Sequence, residues 1–308
     1  YGRAGDHPAR LIVKDRGLNG DLAAVCPELH RINKTPHLWR RLSMLTAAAL
    51  ASVALIVFVL VPIMADQLAT ILPTKGEQAL GDSTFEQIRK ALGRNPEIGV
   101  KECNNPDGLA ALDEMAARLS VGANLPYDLR LHVLQHRMIN AFALPGGHIV
   151  LFEGLLKDAR SAEEVAGVLG HEMGHLEHRD PTRLALRSAG SVGVLGLLLG
   201  DFAGGAAVLF LTEKLIQAQY SQGAEEGADT YSHGLLAATG LPSGPLADFF
   251  DRLHAKYGDD KGLMSHLASH PDSERRSQAA RDANTVNTDF TPVLTEEQWR
   301  DLRRICRS

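Results

Sequence analysis

Cysteine is scarce in this sequence, and long clusters of basic residues are absent. Three cysteines occur among 308 residues, at Cys26, Cys103 and Cys306, and no two of them form a CxxC pair. This spacing excludes a cysteine-liganded zinc knuckle and a thioredoxin-like redox motif. The net charge is -5, and Lys and Arg form no long run. Because nucleic-acid phosphates require a concentrated basic surface, we expect no nucleic acid among the partners.

Internal repeats and low-complexity tracts are also missing from the sequence. Of its 308 residues, 44% are hydrophobic. A chain of this length and composition can bury a substantial core, as one large domain or two smaller ones. Disorder is therefore not expected over most of the chain.

Charge is absent from the segment Leu42 to Ala65, which runs for 24 residues without Asp, Glu, Lys or Arg. As a helix this segment would be about 36 Å long, enough to cross a bilayer. The alternatives are a cleaved signal peptide and a buried core helix. The segment begins about forty residues into the chain and exceeds the roughly 7 to 15 apolar residues of a signal peptide. We predict one transmembrane helix.

The basic residues around this segment are unevenly distributed. The twenty residues after Ala65 contain one basic residue, Lys75. The twenty residues before Leu42 contain four, at Arg31, Lys34, Arg40 and Arg41. Since loops rich in Lys and Arg tend to stay in the cytoplasm, this bias places the N-terminus there and the bulk of the chain on the other side.

The chain is thereby divided into three parts. Residues 1–38 are expected to be the C-terminal remnant of a small N-terminal cytoplasmic domain, residues 42–65 the transmembrane helix, and residues 72–308 the main domain. In an oxidising compartment, a disulfide between Cys103 and Cys306 would join the start of the main domain to its end. Two free buried thiols are the alternative.

Residue periodicity predicts a mainly helical α+β domain. Apolar spacing indicates helices over 74–92 and 106–121. The stretch LRLHVLQ from residue 129 alternates like a strand, a Pro-Gly-Gly turn follows, and HIVLFEGLL resumes as a strand, which predicts a β-hairpin or a short mixed sheet. His148, in the later strand, is interpreted as packed or rim-exposed rather than as a ligand.

The next helix begins with a capping signal. Ser161 is followed three residues later by Glu164, which is typical of a capping box, and the helix is expected to continue to Pro181. A second apolar stretch, 189–211, contains Asp201 and six glycines and is a poor membrane span. We interpret it as a helical hairpin covering the active site, with a second or re-entrant span as the alternative.

The sequence HEMGH at 171–175 points to metal chemistry. His171 and His175 lie one helical turn apart on the same face, so both imidazoles can reach one ion. Glu172 lies beside them, where such a glutamate takes a proton from a water that zinc has made acidic and passes it to the leaving amine. A chance match on a solvated helix is the alternative. The helix cap, the preceding strand and a downstream carboxylate favour a site.

That carboxylate lies in the sequence EEGAD at 225–229. Glu225 and Asp229 share a helix face, which suits one carboxylate as a metal ligand and a second that holds a ligand imidazole by its other N–H. Glu226 is the alternative ligand. Two histidines and one glutamate leave a fourth position open for water, as a catalytic zinc site requires. We predict one Zn2+ per chain.

Four motifs in order carry a family resemblance. HEMGH and EEGAD, preceded by NAFALPGGHIVLFEGLL and followed by SHPDSERR, resemble metallopeptidase family forty-eight, which includes the CAAX prenyl protease, HtpX and BepA-like zinc peptidases. The similarity runs from about Leu72 to the C-terminus. It implies a membrane-anchored bacterial member, with a zincin-type metallopeptidase domain at 72–308 and a small β-sheet next to the HExxH helix. In the family pattern, Glu225 binds zinc.

The resemblance implies further roles. His270 matches a downstream histidine that stabilises the oxyanion or occupies the open zinc position, although a histidine before proline is usually a loop residue. Arg276 matches an arginine that holds this loop, although a surface salt bridge is the simpler account. Relatives often have histidine where this chain has Asp180. The resemblance also implies that an extended substrate pairs, as an added strand, with an edge formed by Asn140, Ala141, Phe142 and Ala143. Spacing alone assigns these residues to an ordinary hairpin.

The leading prediction is a zinc-dependent metalloendopeptidase that hydrolyses unfolded or misassembled proteins in protein quality control. We expect it in the bacterial inner membrane as a single-pass protein, with the peptidase domain facing the periplasm. The alternative is a zinc-binding chaperone or scaffold that holds client proteins with little proteolysis. Glu172 favours the hydrolase, because a chaperone has no need for a catalytic base. A transporter would need several spans.

Overall fold

The computed structural model describes Val25 and residues 36–93, 95, 98–199, 220–257, 273–285 and 289–307. The chain forms two units, Tyr1–Leu55 and Ile56–Ser308. The described helices are α1 (Pro36–Leu55), α2 (Val61–Ile71), α3 (Thr74–Leu92), α4 (Pro106–Ser120), α5 (Glu153–Asp158), α6 (Ala162–Glu177), α7 (Asp180–Leu199), α8 (Gln222–Ala238), α9 (Gly244–Tyr257), α10 (Ser273–Asp282) and α11 (Glu296–Arg303).

The described residues contain one helix long and apolar enough to cross a membrane, Leu38–Ile71. It has 34 residues, a mean hydropathy of 2.7 in its apolar window and no buried residue in that window. The predicted segment 42–65 lies within it. A π-helical turn at Ile56–Leu60 precedes Pro62. Proline lacks an N–H and crowds the carbonyl four residues earlier, so local widening of the helix at this point has a physical cause.

A small mixed sheet lies beside the helices. Its strands are β1 (Arg130–Leu134), β2 (Ala141–Leu144) and β3 (His148–Phe152), in the order β1-β3-β2. β1 runs parallel to β3, and β2 is antiparallel to it. The expected short mixed sheet is therefore present, with a hairpin as part of it. Gly146 and Gly147 form the hairpin turn with φ of 74° and 93°, a conformation that favours glycine.

Helix α6 lies at the centre of the main unit, and its residues 162–176 are all buried. It packs against β2, α8 and α9. A Cβ added at Gly174 would lie only 2.7 Å from the Cα of Ala228, so this glycine permits a close approach between α6 and α8. Neighbouring core side chains include Phe249, Phe250 and Leu246 from α9. The predicted mainly helical α+β fold, with a small sheet next to the HExxH helix, is confirmed.

The ends of α6 differ in part from the prediction. The Ser161 Oγ accepts a hydrogen bond from the Glu164 N–H at 3.3 Å, which is half of the capping box. The Glu164 carboxylate accepts instead from the Arg160 N–H and from Arg252. The helix ends at Glu177 rather than continuing to Pro181, because Arg179 adopts a φ of 55° and breaks it. Pro181 then lies in the first turn of α7, where its missing N–H is tolerated.

Cys103 and Cys306 form a disulfide that closes a loop with a sequence separation of 203. Their Cα atoms lie 4.5 Å apart. The N–H of Asn105 also donates to the carbonyl of Ile305 at 3.3 Å. The start of α4 and the end of α11 are thus held together by covalent and backbone contacts.

Several predictions concern residues outside the described part of the chain. These include His270, most of the expected cytoplasmic remnant at 1–38, and residues 200–211 of the proposed helical hairpin. Residues 189–199 of that hairpin form the second half of α7.

His148 is buried, with 2% exposure, and takes part in a chain of polar contacts. Its Nδ1 lies 3.0 Å from His132 Nε2, and the other nitrogen of His132 lies 2.7 Å from Glu102. On the far side, His148 Nε2 lies 3.3 Å from Asp82. Burial, and secondarily the neighbouring His132, lower the pKa of His148 to about 4, although Asp82 opposes this.

This pKa predicts a stability that falls in mild acid. The unfolded chain binds a proton on His148 near pH 6.5, whereas the folded chain resists it until about pH 4, so stability is lost as the pH falls between these values. Between pH 7 and pH 5 we expect a loss of about 2 kcal/mol that His148→Gln removes. Urea unfolding at both pH values measures it. His254→Gln, on an exposed histidine of α9, is the control, and equal pH dependence in all three proteins would contradict the prediction.

Candidate metal centre

Helices α6 and α8 bring three metal-ligating side chains together. His171 and His175 from α6 have their Nε2 atoms 3.1 Å apart. The Glu225 carboxylate from α8 lies 3.4 Å from the first of these nitrogens and 3.7 Å from the second. The candidate ligand atoms of all three residues lie within 4.8 Å of one another, and all three residues are buried. The adjacent Glu226 has a side chain that is 55% exposed and pairs with Arg275, so it does not join them.

Each histidine is held by a carboxylate at its other ring nitrogen. His171 Nδ1 lies 2.9 Å from an oxygen of Asp229, and His175 Nδ1 lies 3.0 Å from an oxygen of Asp180. When each Nδ1–H donates to its carboxylate, each Nε2 keeps a lone pair for a metal ion. The structure thus places Asp229 in the role expected of it.

The part played by Asp180 was not predicted. The family resemblance marks this position only as one where histidine is expected in place of Asp180. The break at Arg179 turns the chain so that Asp180, five residues beyond His175, returns to that imidazole. The sequence does show an acidic residue soon after the HExxH motif. The turn that brings this residue to His175 cannot be predicted from periodicity.

Arg276 is buried, with 3% exposure, so the expectation of a surface salt bridge is wrong. Its Nε and Nη2 each donate to Asp229 at 2.8 Å, in the two-pronged geometry that guanidinium and carboxylate groups favour. Its Nη1 lies 3.2 Å from Glu225. The guanidinium also packs over the ring of Phe250, 4.5 Å from its centroid. Arg276 therefore orients both carboxylates that α8 contributes.

Tyr220 is a further neighbour that the sequence did not reveal. Its ring stacks on the imidazole of His175, with centroids 4.1 Å apart and an angle of 28° between the planes. Burial, followed by the charges of Glu172, Asp180 and Glu225, raises the pKa of the phenol well above its usual value. Tyr220 is therefore neutral at physiological pH and adds no negative charge to the site.

The hydrogen bonds of the site alter the titration of His171. Burial and the charge of Arg276 lower its pKa, but hydrogen bonds to Asp229 and Glu225 outweigh them and raise it to about 9. The pKa of Asp229 is well below its usual range, because Arg276 and His171 outweigh the effect of burial. A metal ion must displace the proton of His171, so metal affinity is expected to fall as the pH falls.

The buried charges fit a bound cation. Four carboxylates are buried in and around the site, those of Glu172, Asp180, Glu225 and Asp229. Among the described residues, the buried Arg276 contacts Glu225 and Asp229, and the partly exposed Arg183 lies 3.6 Å from Asp180. Buried charges are unfavourable unless they are compensated, and a divalent ion would offset much of this excess. Two imidazole nitrogens and one carboxylate oxygen are donors that zinc accepts, and three protein ligands leave room for water. Glu172 is fully buried beside His171.

The predicted substrate strand is the edge of the sheet. β2 contains Ala141, Phe142 and Ala143, pairs with β3 on one side and contacts α6. Asn140 immediately precedes it, and the Asn140 carbonyl accepts from the Phe152 N–H at 3.1 Å. These side chains are buried, so a partner at this edge would meet backbone groups rather than side chains.

The sequence around this site matches a known protein family. Residues 108–284 match peptidase family M48 over more than half of the chain. The chain belongs to peptidase family M48. It is 30% identical over 233 residues to metalloprotease LoiP of Escherichia coli (strain K12), covering 68% of this chain and 88% of LoiP.

Two other relatives are longer than the M48 region they share with this chain. The chain is 29% identical over 218 residues to a putative beta-barrel assembly-enhancing protease of Vibrio cholerae, and the match covers 67% of this chain and 43% of that protein. It is 32% identical over 154 residues to the mitochondrial metalloendopeptidase OMA1 of Arabidopsis thaliana, covering 50% of this chain and 31% of that protein.

The resemblance to this family is therefore confirmed. As an M48 member, the chain is a metallopeptidase with a zincin-type domain, and His171, His175 and Glu225 form a group that can bind its metal.

The contact between Asp180 and His175 predicts a change in metal affinity. We expect Asp180→Asn to weaken metal binding about 10- to 100-fold, because the carboxylate charge that orients and polarises the imidazole is lost. Zinc affinity measured by competition with a chelator provides the test. Glu177→Gln removes a charge at the end of α6, the helix that carries His175, where Glu177 pairs with His178, and should leave the affinity unchanged. Equal affinities of Asp180→Asn and the parent would show that Asp180 does not support His175.

Proposed function

We propose that this chain is a zinc-dependent metalloendopeptidase, anchored in a membrane, that cleaves unfolded or misassembled proteins. The observation that carries the proposal is the buried group of His171, His175 and Glu225, with Glu172 in the same helical turn as the histidines. Membership in family M48 supports peptide hydrolysis as the reaction.

The residues of the site have separate roles in the proposed hydrolysis. Zinc held by His171, His175 and Glu225 would supply Lewis-acid activation of water and of the peptide carbonyl. The Glu172 carboxylate accepts a proton from the attacking water and delivers it to the nitrogen of the leaving amine. Asp180 and Asp229 hold the two imidazoles at Nδ1, which leaves each Nε2 available to bind zinc. His270 stays a predicted partner of the developing oxyanion.

The edge strand suggests the class of substrate. β2 would recognise the main chain of an extended peptide, because backbone hydrogen bonds do not depend on side-chain identity. A folded protein rarely presents such a peptide, whereas an unfolded or misassembled one does. The name of one relative, a beta-barrel assembly-enhancing protease, supports a role in protein quality control. The second candidate is a zinc-binding chaperone that holds clients on β2 with little cleavage.

Cleavage of unfolded casein separates the two functions. We expect Glu172→Gln to lose about 10²- to 10⁴-fold in cleavage rate, because the general base is removed while the ligands remain. A chelator should abolish cleavage by the parent protein. Glu226→Gln, which changes an exposed glutamate next to the ligand Glu225, is the matched control and should cleave at the parent rate.

Other outcomes of this assay would contradict the proposal. Cleavage that persists in Glu172→Gln, or that ignores the chelator, would exclude the mechanism. A parent protein that suppresses casein aggregation without cleaving it, with Glu172→Gln equally effective, would favour the chaperone.

For localisation we propose a single pass of the inner membrane of a bacterium, with residues 72–308 in the periplasm and residues 1–38 in the cytoplasm. The helix Leu38–Ile71 supports anchoring, and the excess of Arg and Lys before it supports the orientation. The disulfide between Cys103 and Cys306 suits an oxidising compartment.

Thiol labelling of spheroplasts tests this topology. A membrane-impermeant maleimide should leave Cys26 unlabelled until detergent is added, because the membrane shields it. Cys103 and Cys306 are buried in a disulfide and should stay unlabelled, whereas a Lys90→Cys variant, changed at an exposed position of the main domain, should be labelled from outside without detergent. Cys26→Ser identifies the band due to Cys26. Labelling of Cys26 in intact spheroplasts would overturn the proposed orientation.

A further inference from the structure

A cavity lined only by cationic side chains lies beside the C-terminal helix. Its volume is about 250 Å³. The lining residues are Lys157, Arg300, Arg303, Arg304 and Arg307. Such a concentration stands out in a chain whose net charge is -5. None of these residues belongs to the metal centre or to the substrate strand.

Helical spacing explains why the arginines converge. Arg303 and Arg304 lie three and four residues after Arg300 at the end of α11, and Arg307 lies three residues after Arg304, just beyond the helix. All four line the same cavity. Lys157 stands opposite, at the end of α5, where its carbonyl accepts a hydrogen bond from Arg303 at 3.2 Å.

The end of this segment is fixed in place. Cys306 is joined to Cys103, and the carbonyl of Ile305 accepts from the Asn105 N–H. The side-chain amide of Asn105 also lies 3.5 Å from the carbonyl of Arg307. The backbone beneath the cavity is therefore held in place, although the five lining side chains are exposed to solvent. A fixed backbone lowers part of the entropy lost when a ligand binds.

Most of these charges have no counter-ion among the residues that the structure describes. Within the described residues, no carboxylate lies within ion-pair distance of Arg300, Arg304 or Arg307. Lys157 pairs with Glu153 at 2.5 Å, and Arg303 packs over the ring of Trp299 at 5.7 Å. Several like charges around one concavity repel one another, and a bound anion would relieve that repulsion.

We propose that this cavity binds a phosphate group. Guanidinium groups donate pairs of N–H bonds in a planar fork that matches the oxygens of phosphate. Three converging arginines without counter-ions offer more donors than one carboxylate can accept, which favours phosphate over an acidic side chain. The group could belong to free phosphate or to the headgroup of an anionic phospholipid, because both present the same oxygens.

Binding of two probes to the full-length protein in neutral detergent tests the proposal. The probes are inorganic phosphate and glycerophosphoglycerol, the water-soluble headgroup of phosphatidylglycerol, titrated by calorimetry at constant ionic strength in chloride. We expect saturable binding. Tighter binding of glycerophosphoglycerol would identify a lipid headgroup as the source, and equal or tighter binding of inorganic phosphate would identify the free ion.

Three variants give the test its specificity. Arg304→Ala with Arg307→Ala should weaken binding about tenfold or more, because two donor forks are lost. Arg304→Lys with Arg307→Lys keeps the charge and should weaken binding by less. Lys90→Ala with Lys101→Ala removes the same charge from exposed positions outside the cavity and should bind like the parent.

Two results would overturn the proposal. One is the absence of binding of either probe above the chloride background. The other is equal weakening in the arginine and lysine alanine variants, which would indicate general charge attraction. Thermal unfolding of each variant checks that it is folded. Because binding is measured directly, the outcome does not depend on peptidase activity.

Discussion

The close contact between α6 and α8 is the constraint on which the metal centre depends. Gly174 meets the backbone of Ala228, and a Cβ at Gly170 would lie 3.0 Å from the Oγ of Ser232. These pairs are one helical turn apart on both helices, so small residues line the contact. The Ser232 hydroxyl donates across it to the carbonyl of Gly167 at 3.1 Å. Because the helices approach this closely, carboxylates on α8 can reach imidazoles on α6.

Close approach alone would also concentrate negative charge in the core. Part of this negative charge is compensated by Arg276, which contacts both Glu225 and Asp229. Asp229 in turn accepts a hydrogen bond from His171. Loss of any one partner would leave another buried charge uncompensated, which is far less favourable than loss of a surface pair. The pKa of His171 is raised because Asp229 and Glu225 stabilise its protonated, cationic form, as they would stabilise a metal cation. Metal and proton therefore compete for the same buried electrostatic environment.

Local patterns in the sequence predicted a mainly helical α+β fold and the two histidine ligands, and the family resemblance selected Glu225 over Glu226 as the third. The HExxH spacing fixes two imidazoles on one helix face, and the pairing of Glu225 with Asp229 follows from the same geometry. Residues whose roles depend on nonlocal packing were not predicted. Tyr220 reaches His175 from a separate segment, and the burial of Arg276 depends on how α10 packs against α9.

Asp180 illustrates the limit of periodicity most directly. The sequence pattern predicts that α6 continues to Pro181, which would place Asp180 within a continuous helix rather than after a break. The positive φ of Arg179 redirects the chain, and a single backbone conformation decides whether His175 has a partner. An isolated conformation of this kind leaves no repeating signal in the sequence.

The contacts of Arg179 connect this break to the end of α2, the last part of the candidate membrane helix Leu38–Ile71. Its guanidinium donates to the carbonyls of Ala69 and Leu72, at 2.6 and 3.4 Å, where the last carbonyls of α2 have no partner within the helix. It also lies 3.7 Å from the buried Glu77, which accepts a hydrogen bond from Thr182 on the far side of the break. The conformation that directs Asp180 to His175 is thus held by the end of α2 and by α3. The end of α2 is therefore connected to the candidate ligand His175 through the hydrogen bonds of Arg179, the adjacent Asp180 and the contact between Asp180 and His175.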